Sequence, residues 1–471
     1  MPNKEHYRYD FNESGMFQKA HVNAAASEID TFRTYSRDVP ILDLFGCGIN
    51  PLFADWIEIA LAAYFADRVS LRDSRKYHRE RWKRRISLTL PVRQIVFWQR
   101  PSIKAQIVEL LNFLTDDDWE FHFVSMPEKD RHYDSQRSLP LPPASTPRVA
   151  LFSGGLDSFA GTLVSLQDDP EATFLLVSCV TNSRQLHNQQ SQVGWLNHHL
   201  RRLGSLMHQP VTLGFNWGEE RDFPQEPTQR TRGFLFLTLG SVAAINAGAL
   251  KLELFENGIG AINLPYDGSQ ISAMNTRSVN PITLLMMEGI VTDILGKHFE
   301  ITNPFLFSTK GEMCASIKNI DLADVIPLTF SCDGFPVHES GKPQCGVCTS
   351  CLLRRLSLAA ADISEFDPGE GYGMDFFDGG SSPSFSQLQG LRAMDYQVQC
   401  IKDLLLQGRP WTAFSERFPQ IQVVASELAH RKGLQRLELS SALLRLYQRH
   451  CDEWRTFPAT KFLEVSKAKA A

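Results

Sequence analysis

Arg148-Val-Ala-Leu-Phe-Ser-Gly-Gly-Leu-Asp-Ser158 decides how this chain reads. A short apolar run, the pattern of a buried strand, empties into Ser153-Gly154-Gly155-Leu156-Asp157-Ser158, and a helical pattern follows. Two consecutive glycines let the backbone turn tightly and bring its N–H groups close to an anion. A helix starting near Asp157 or Ser158 aims the positive end of its dipole at the same place. No Gly-Lys-Ser/Thr follows the glycines, so the loop lacks the lysine with which kinase and GTPase loops reach the terminal phosphates. The stretch reads as a pyrophosphate cradle, although a Gly-Gly pair taken alone is equally a tight turn.

The whole hexapeptide is more specific. Ser-Gly-Gly-Leu-Asp-Ser resembles the signature of the ATP pyrophosphatases of the PP-loop class, which split ATP to AMP and pyrophosphate while activating a substrate as its adenylate. That resemblance implies that Ser153, Gly154, Gly155, Leu156 and Ser158 hold pyrophosphate and that Asp157 sits beside bound Mg2+ or the phosphates.

Composition sets the bounds. The 471 residues carry 43% hydrophobic and 21% charged side chains, ordinary for a globular protein able to bury a core, and a net charge of -5 supplies no global attraction for nucleic acid. The amino-terminal residues lack the apolar core of a secretory signal, and no apolar stretch is long and charge-free enough to span a membrane, so a cytoplasmic protein is expected.

The chain predicts three units. Residues 1–146 form an α+β accessory unit, with an amphipathic helix from Pro51, strand-like alternation at Arg85-Ile-Ser-Leu-Thr-Leu-Pro-Val and near Trp119, and a stiff proline-rich linker at Leu139–Pro147. Residues 147–364 repeat strand, turn and helix. Further strands are expected at Thr173–Val177, Val211–Phe215 and Gly258–Leu264, with a long helix from Gly233. This pattern predicts an α/β fold, a doubly wound parallel sheet with the glycine loop at a carboxyl strand end. Residues 386–465 read as a helical extension.

Four of the nine cysteines, Cys332, Cys345, Cys348 and Cys351, are clustered, which argues for metal rather than a disulfide framework. A closed all-cysteine tetrahedron favours structural Zn2+, with an iron–sulfur cluster as the competitor. The other cysteines are expected in the core or on the surface.

Downstream of the PP-loop, Cys345-Gly-Val-Cys-Thr-Ser-Cys-Leu-Leu-Arg-Arg355 resembles the zinc segment of the QueC family, the 7-cyano-7-deazaguanine synthases. Gln185-Leu-His187, Arg230-Thr-Arg-Gly-Phe-Leu-Phe-Leu and Asn303-Pro-Phe-Leu-Phe-Ser-Thr-Lys310 echo three segments between the two motifs. The resemblance implies an adenine nucleotide alpha hydrolase-like domain with a zinc knuckle at 332–351, binding ATP, Mg2+ and a 7-carboxy-7-deazaguanine-like carboxylate. It makes Lys310, Arg230 and Arg232 candidates for the phosphate clamp, with Asp157, Lys310 and Arg230 as catalytic residues. Gln185, His187, Arg232, Asp267, Arg277 and Arg354 are candidates for the substrate.

The family is about half this length and its substrate-reading segment is not reproduced clearly. The long form, with Asn263-Leu-Pro and Met274-Asn-Thr-Arg-Ser-Val-Asn-Pro281, resembles the QueC-like proteins of bacterial anti-phage operons, such as the QatC subunit of the Qat system and a QueC-like protein of some CBASS operons. That implies transfer of the activated acyl group to the N-terminal amine of a partner protein rather than to ammonia. Nitrile synthesis for queuosine, a non-catalytic ATP-binding scaffold and tRNA thiolation are the rival readings. The basic, aromatic stretch Arg68–Arg85 suits a solvated or partner-binding face better than nucleic acid, given the acidic balance of the chain.

Overall fold

A computed structural model describes residues 6–11, 16–21, 29–72, 83–126, 145–200, 205–215, 225–266, 275–334, 341–378 and 383–463. The strands, in chain order, are β1 (His6–Phe11), β2 (Met16–His21), β3 (Ile29–Ser36), β4 (Arg85–Val92), β5 (Asp118–Ser125), β6 (Arg148–Leu151), β7 (Phe174–Val180), β8 (Leu206–Phe215), β9 (Lys251–Glu253) and β10 (Glu300–Thr302). They form one mixed sheet in the order β10-β9-β6-β7-β8-β3-β2-β1-β4-β5. Pairing is parallel from β10 through to β8 and again across β1-β4-β5, and antiparallel at β8-β3, β3-β2 and β2-β1.

The longer helices are α1 (Pro51–Val69), α2 (Pro101–Thr115), α3 (Leu156–Asp168), α4 (Ser183–His199), α5 (Arg232–Asn246), α6 (Pro281–Leu295), α7 (Lys310–Asn319), α8 (Thr349–Ala360), α9 (Gln389–Leu405), α10 (Pro410–Arg417), α11 (Pro419–Lys432) and α12 (Arg436–Arg455). They cover both faces of the sheet, and strand alternation sorts them. Val149 and Leu175 join a core with α1, α2, α5 and α6, whereas their neighbours Ala150 and Leu176 join a second core with Phe159 and Leu163 of α3, Met313 and Ile317 of α7 and Leu358 of α8. A third core, with Leu391 and Val398 of α9 and Leu443 and Tyr447 of α12, seats the carboxyl-terminal helices on Ile262 and Leu264.

Within β6–β10 the strand order reverses between β6 and β9. In open α/β sheets ligands bind in the crevice beyond the carboxyl ends of the strands at such a reversal. Two loops therefore converge there: the Ser153–Gly155 turn after β6 and the Leu254–Asn257 turn after β9.

The structure corrects three sequence expectations. Gly258-Ile-Gly-Ala-Ile is a short helix, Gly258–Ile262, started by the Asn257 side chain accepting from Gly260 N–H at 2.9 Å, and the strand lies just upstream as β9. An apolar run of that length fits strand or helix equally, and the Asn cap decides it. Helix α1 is not amphipathic but buried almost all round, because it lies between the sheet and α5. Arg72 and Arg84, in the basic stretch, are buried rather than solvated: Arg84 pairs with Asp67 at 2.5 Å and Asp117 at 2.6 Å, and Arg72 with Asp117 at 2.7 Å. Residues 73–82, the rest of that stretch, lie outside the described residues.

Candidate active site

The turn after β6 combines a left-handed glycine with an open helix start. Gly154 has φ +80°, a conformation that L side chains rarely adopt, and a Cβ there would press on Gln189 Cγ at 3.1 Å. Gly155 is the residue before α3 and, among the described residues, no side chain caps the helix, so the first N–H groups of α3 are open to a ligand. Glutamines of α4 bind the turn from behind through its carbonyls: Gln189 donates to Ser153 O at 3.1 Å and Gln192 to Gly154 O at 2.9 Å. Ser153 Oγ lies 3.0 Å from Ser158 Oγ and accepts from Gly155 N–H at 3.2 Å, which ties the two serines into the turn.

Asp157, in the first turn of α3, meets the other loops of the crevice. Lys310, the first residue of α7, reaches Asp157 Oδ2 at 2.5 Å, and Asn257 Nδ2 donates to Asp157 Oδ1 at 3.0 Å. The same Asn257 amide donates to Glu256 Oε1 at 2.8 Å. Burial lowers the Lys310 ammonium, but Asp157 and Glu256 more than offset it, so this buried lysine stays protonated. Burial first, then the Asp157 charge, push the Glu256 carboxyl up to about 8, with Lys310 acting in the opposite direction.

That shift has a stability consequence. Between the ordinary value of 4.5 and about 8, the folded protein keeps a Glu256 proton that the unfolded chain has released. The group therefore favours folding most at low pH, and its contribution fades as pH rises through that window. Glu256→Gln keeps an acceptor for Asn257 and cannot ionise. Its melting temperature should fall less steeply than that of the wild type between about pH 5 and pH 9. Parallel melting curves across that range would show that Glu256 does not titrate as a buried acid.

Sequence reasoning named Asp157 and Lys310, and the structure brings them together. It missed Glu256, Asn257, Gln189 and Gln192. Glu-Asn-Gly directly after a strand was the available signal, obscured because the strand was placed on the wrong side of it.

Most of the other candidates are engaged by different groups. Arg230 is largely buried near Arg72, Asp67, Glu226 and Arg277. Burial first, then Arg72, bring its guanidinium down to about 10. Arg232 lies over the Phe236 ring at 4.8 Å. Arg277 donates to Phe113 O at 2.6 Å, on α2. Gln185 folds back to accept from Thr181 N–H at 3.2 Å, and His187 is exposed. Arg354 is fully buried and engaged with Asp367 at 2.9 Å, Thr329 at 2.7 Å and the Ile326 carbonyl at 3.0 Å, so it pins the segment before the cysteines. Asp267 lies outside the described residues.

The cysteines form a second centre close to the glycine turn. The Sγ atoms of Cys332, Cys345, Cys348 and Cys351 all lie within 4.8 Å of one another, with Cys332–Cys348 at 3.8 Å and Cys345–Cys351 at 3.9 Å. Ligands about 2.3 Å from a tetrahedral zinc stand about 3.8 Å apart, so the four sulfurs fit that ion. Backbone N–H groups of Cys345, Cys348 and Cys351 point at the sulfurs of Cys332, Cys345 and Cys348 at 3.3–3.4 Å, which favours thiolates. Gly346, at φ +82°, turns the knuckle where a side chain would run into the Met374 backbone. The segment leading to Cys332 touches the glycine turn. Gln192 donates to Leu328 O at 2.8 Å as well as to Gly154 O, and a Cβ on Gly155 would lie 3.4 Å from Phe330 O.

With this geometry in place, the comparisons bear on the chemistry. No protein-family model matches the chain. It is similar to the 7-cyano-7-deazaguanine synthase of Cupriavidus taiwanensis. The two are 26% identical over 227 residues, which is 46% of this chain and 94% of that synthase. Among the described residues no helix is long and apolar enough to cross a membrane.

Proposed function

We propose that this protein is a QueC-like ATP-dependent ligase with a PP-loop domain. It would activate a 7-deazaguanine carboxylate as an acyl-AMP, release pyrophosphate, and pass the acyl group to an amine. The observation that carries the proposal is the Asp157–Lys310 ion pair, 2.5 Å across, at the mouth of an uncapped helix preceded by Ser-Gly-Gly. The similarity to a 7-cyano-7-deazaguanine synthase over nearly that enzyme's full length supports the substrate class.

Adenylation places a carboxylate oxygen against the α-phosphorus while charge grows on the departing pyrophosphate. Backbone donors of the Gly154–Ser158 turn would take that charge, and Lys310, already protonated, would supply a cation without a change of protonation state. Mg2+ accompanying ATP would share the neutralisation, with Asp157 the carboxylate placed to hold it and Glu256 able to join only by giving up its proton. Asn257, which bonds both carboxylates, would keep them aligned. Once the adenylate forms, attack needs an unprotonated amine, so turnover should rise toward the α-amino pKa, about 8.

The acceptor separates two versions of this function. The resemblance to defence-operon proteins favours the N-terminal amine of a partner protein, and the name of the curated relative favours ammonia, giving the nitrile. Incubation with ATP, Mg2+ and 7-carboxy-7-deazaguanine should release pyrophosphate, and Asp157→Ala should reduce that release at least about 100-fold. Mass spectrometry of products then decides: an added mass on a partner's N-terminus supports protein ligation, and the nitrile formed from ammonia alone supports synthesis. Pyrophosphate release by neither route would leave an ATP-binding scaffold.

A further inference from the structure

Helix α12 reaches the active site from behind. Its Glu453 is largely buried and accepts a hydrogen bond from Thr309 Oγ1. Thr309 is the cap of α7: its hydroxyl oxygen accepts from Glu312 N–H at 3.1 Å while Glu312 Oε2 accepts from Thr309 N–H at 2.8 Å. Because that oxygen already accepts from Glu312, its own proton goes to Glu453. The next residue in the chain is Lys310. Gly311 completes the arrangement, since a Cβ there would overlap the Glu453 carboxylate. One turn earlier on α12, Arg449 pairs with Glu312 at 2.9 Å, so two residues of this helix grip the first turn of α7. Among the described residues the other Glu453 oxygen, which is buried, has no hydrogen-bond partner, a cost that a merely space-filling residue would not carry.

We infer that Glu453 is a positioning residue: through Thr309 it fixes the first turn of α7, and with it Lys310 against Asp157, so that the carboxyl-terminal helices complete the nucleotide site. The inference rests on the role proposed for Lys310, but its geometric content can be tested without turnover. The hydroxyl that caps the helix is here oriented by a residue from a distant part of the chain.

Acetylation of the full-length protein by acetic anhydride, followed by peptide mass spectrometry, reads how well Lys310 is held. Glu453→Ala should raise the acetylation rate at Lys310 about tenfold. Gly311→Ala, which displaces the carboxylate without altering it, should do the same. Glu453→Gln retains an acceptor for Thr309 and should stay close to the wild type. Lys318, at the far end of α7, should be unchanged in all three. Lys310 labelling that stays flat in both Ala variants, or that rises equally at Lys318, overturns the inference. Loss of pyrophosphate release by the wild type with the labelling pattern intact would instead count against the ligase reading alone. Where the wild type turns over, kcat of Glu453→Ala should fall while Glu453→Gln retains it.

Discussion

Replacing Lys310 by Met should reduce ATP-dependent pyrophosphate release by about 100- to 1,000-fold, the usual effect of removing one preorganised donor from a site where charge develops. The substitution keeps the apolar stem of a side chain that is 5% exposed, so packing changes little, and the loss of charge is the main event. Asp157 and Glu256 would then share a buried site without the cation that offsets them. Breaking one partner of a buried pair typically destabilises by about 3–5 kcal/mol, unless a proton is taken up instead. Stability and catalysis can be separated. Asp157→Asn combined with Lys310→Met removes both charges and should recover much of the melting temperature, yet it should recover none of the pyrophosphate release. If Lys310→Met alone retained activity while losing stability, Lys310 would be a structural counter-ion and the clamp would lie elsewhere.

Why that pair was legible from sequence, and Glu256 was not, follows from the sheet. Asp157 belongs to a contiguous hexapeptide whose backbone demands are local: a residue at φ +80° and an open helix end specify glycine at Gly154 and permit it at Gly155. Lys310 ends the run Ser308-Thr-Lys, and its capping box is also local. Glu256 becomes a site residue only if β9 is Lys251–Glu253. A three-residue strand offers almost no periodicity, and Leu252 is its single fully buried position. Taking Gly258–Leu264 as the strand put Glu256 at the amino end of the sheet, opposite the crevice. One misplaced element thus moved a carboxylate from one end of the sheet to the other.

The extent of the sheet was hidden for a related reason. Its join, Thr34–Ser36 of β3 against Leu213–Phe215 of β8, pairs residues far apart in sequence across the expected boundary near residue 146. Periodicity within a segment says nothing about which distant edge it will meet. The same holds for Arg84, whose partners Asp67 and Asp117 come from α1 and from the turn after α2. In the sequence it is one of many cations in a basic run, and only the fold shows that it is buried. The cysteines are the opposite case, since metal-ligand chemistry fixes their spacing, and their sulfurs come together as that spacing implies.

The cysteine centre carries the other large effect. Cys351→Ser should abolish stoichiometric zinc binding and remove on the order of 10 kcal/mol of local folding free energy. Cys351 is fully buried at the start of α8, and the serine hydroxyl is a poor substitute for a thiolate. The damage should not stay local. From Cys332 the chain runs back through Phe330 to Leu328, whose carbonyl shares the Gln192 amide with Gly154. If the knuckle loosens, Gln192 loses one of the two carbonyls that orient it, and the glycine turn loses part of the brace that presents its N–H groups. ATP affinity should therefore fall together with zinc content, by about tenfold or more. Cys400→Ser, a half-buried cysteine on α9 outside the centre, should leave both unchanged. Metal analysis alongside calorimetric titration with a non-hydrolysable ATP analogue tests the coupling. A zinc-free Cys351→Ser protein that binds the analogue with wild-type affinity would confine the metal to holding its own loop. A parallel loss would make the knuckle part of the wall against which the phosphates are set.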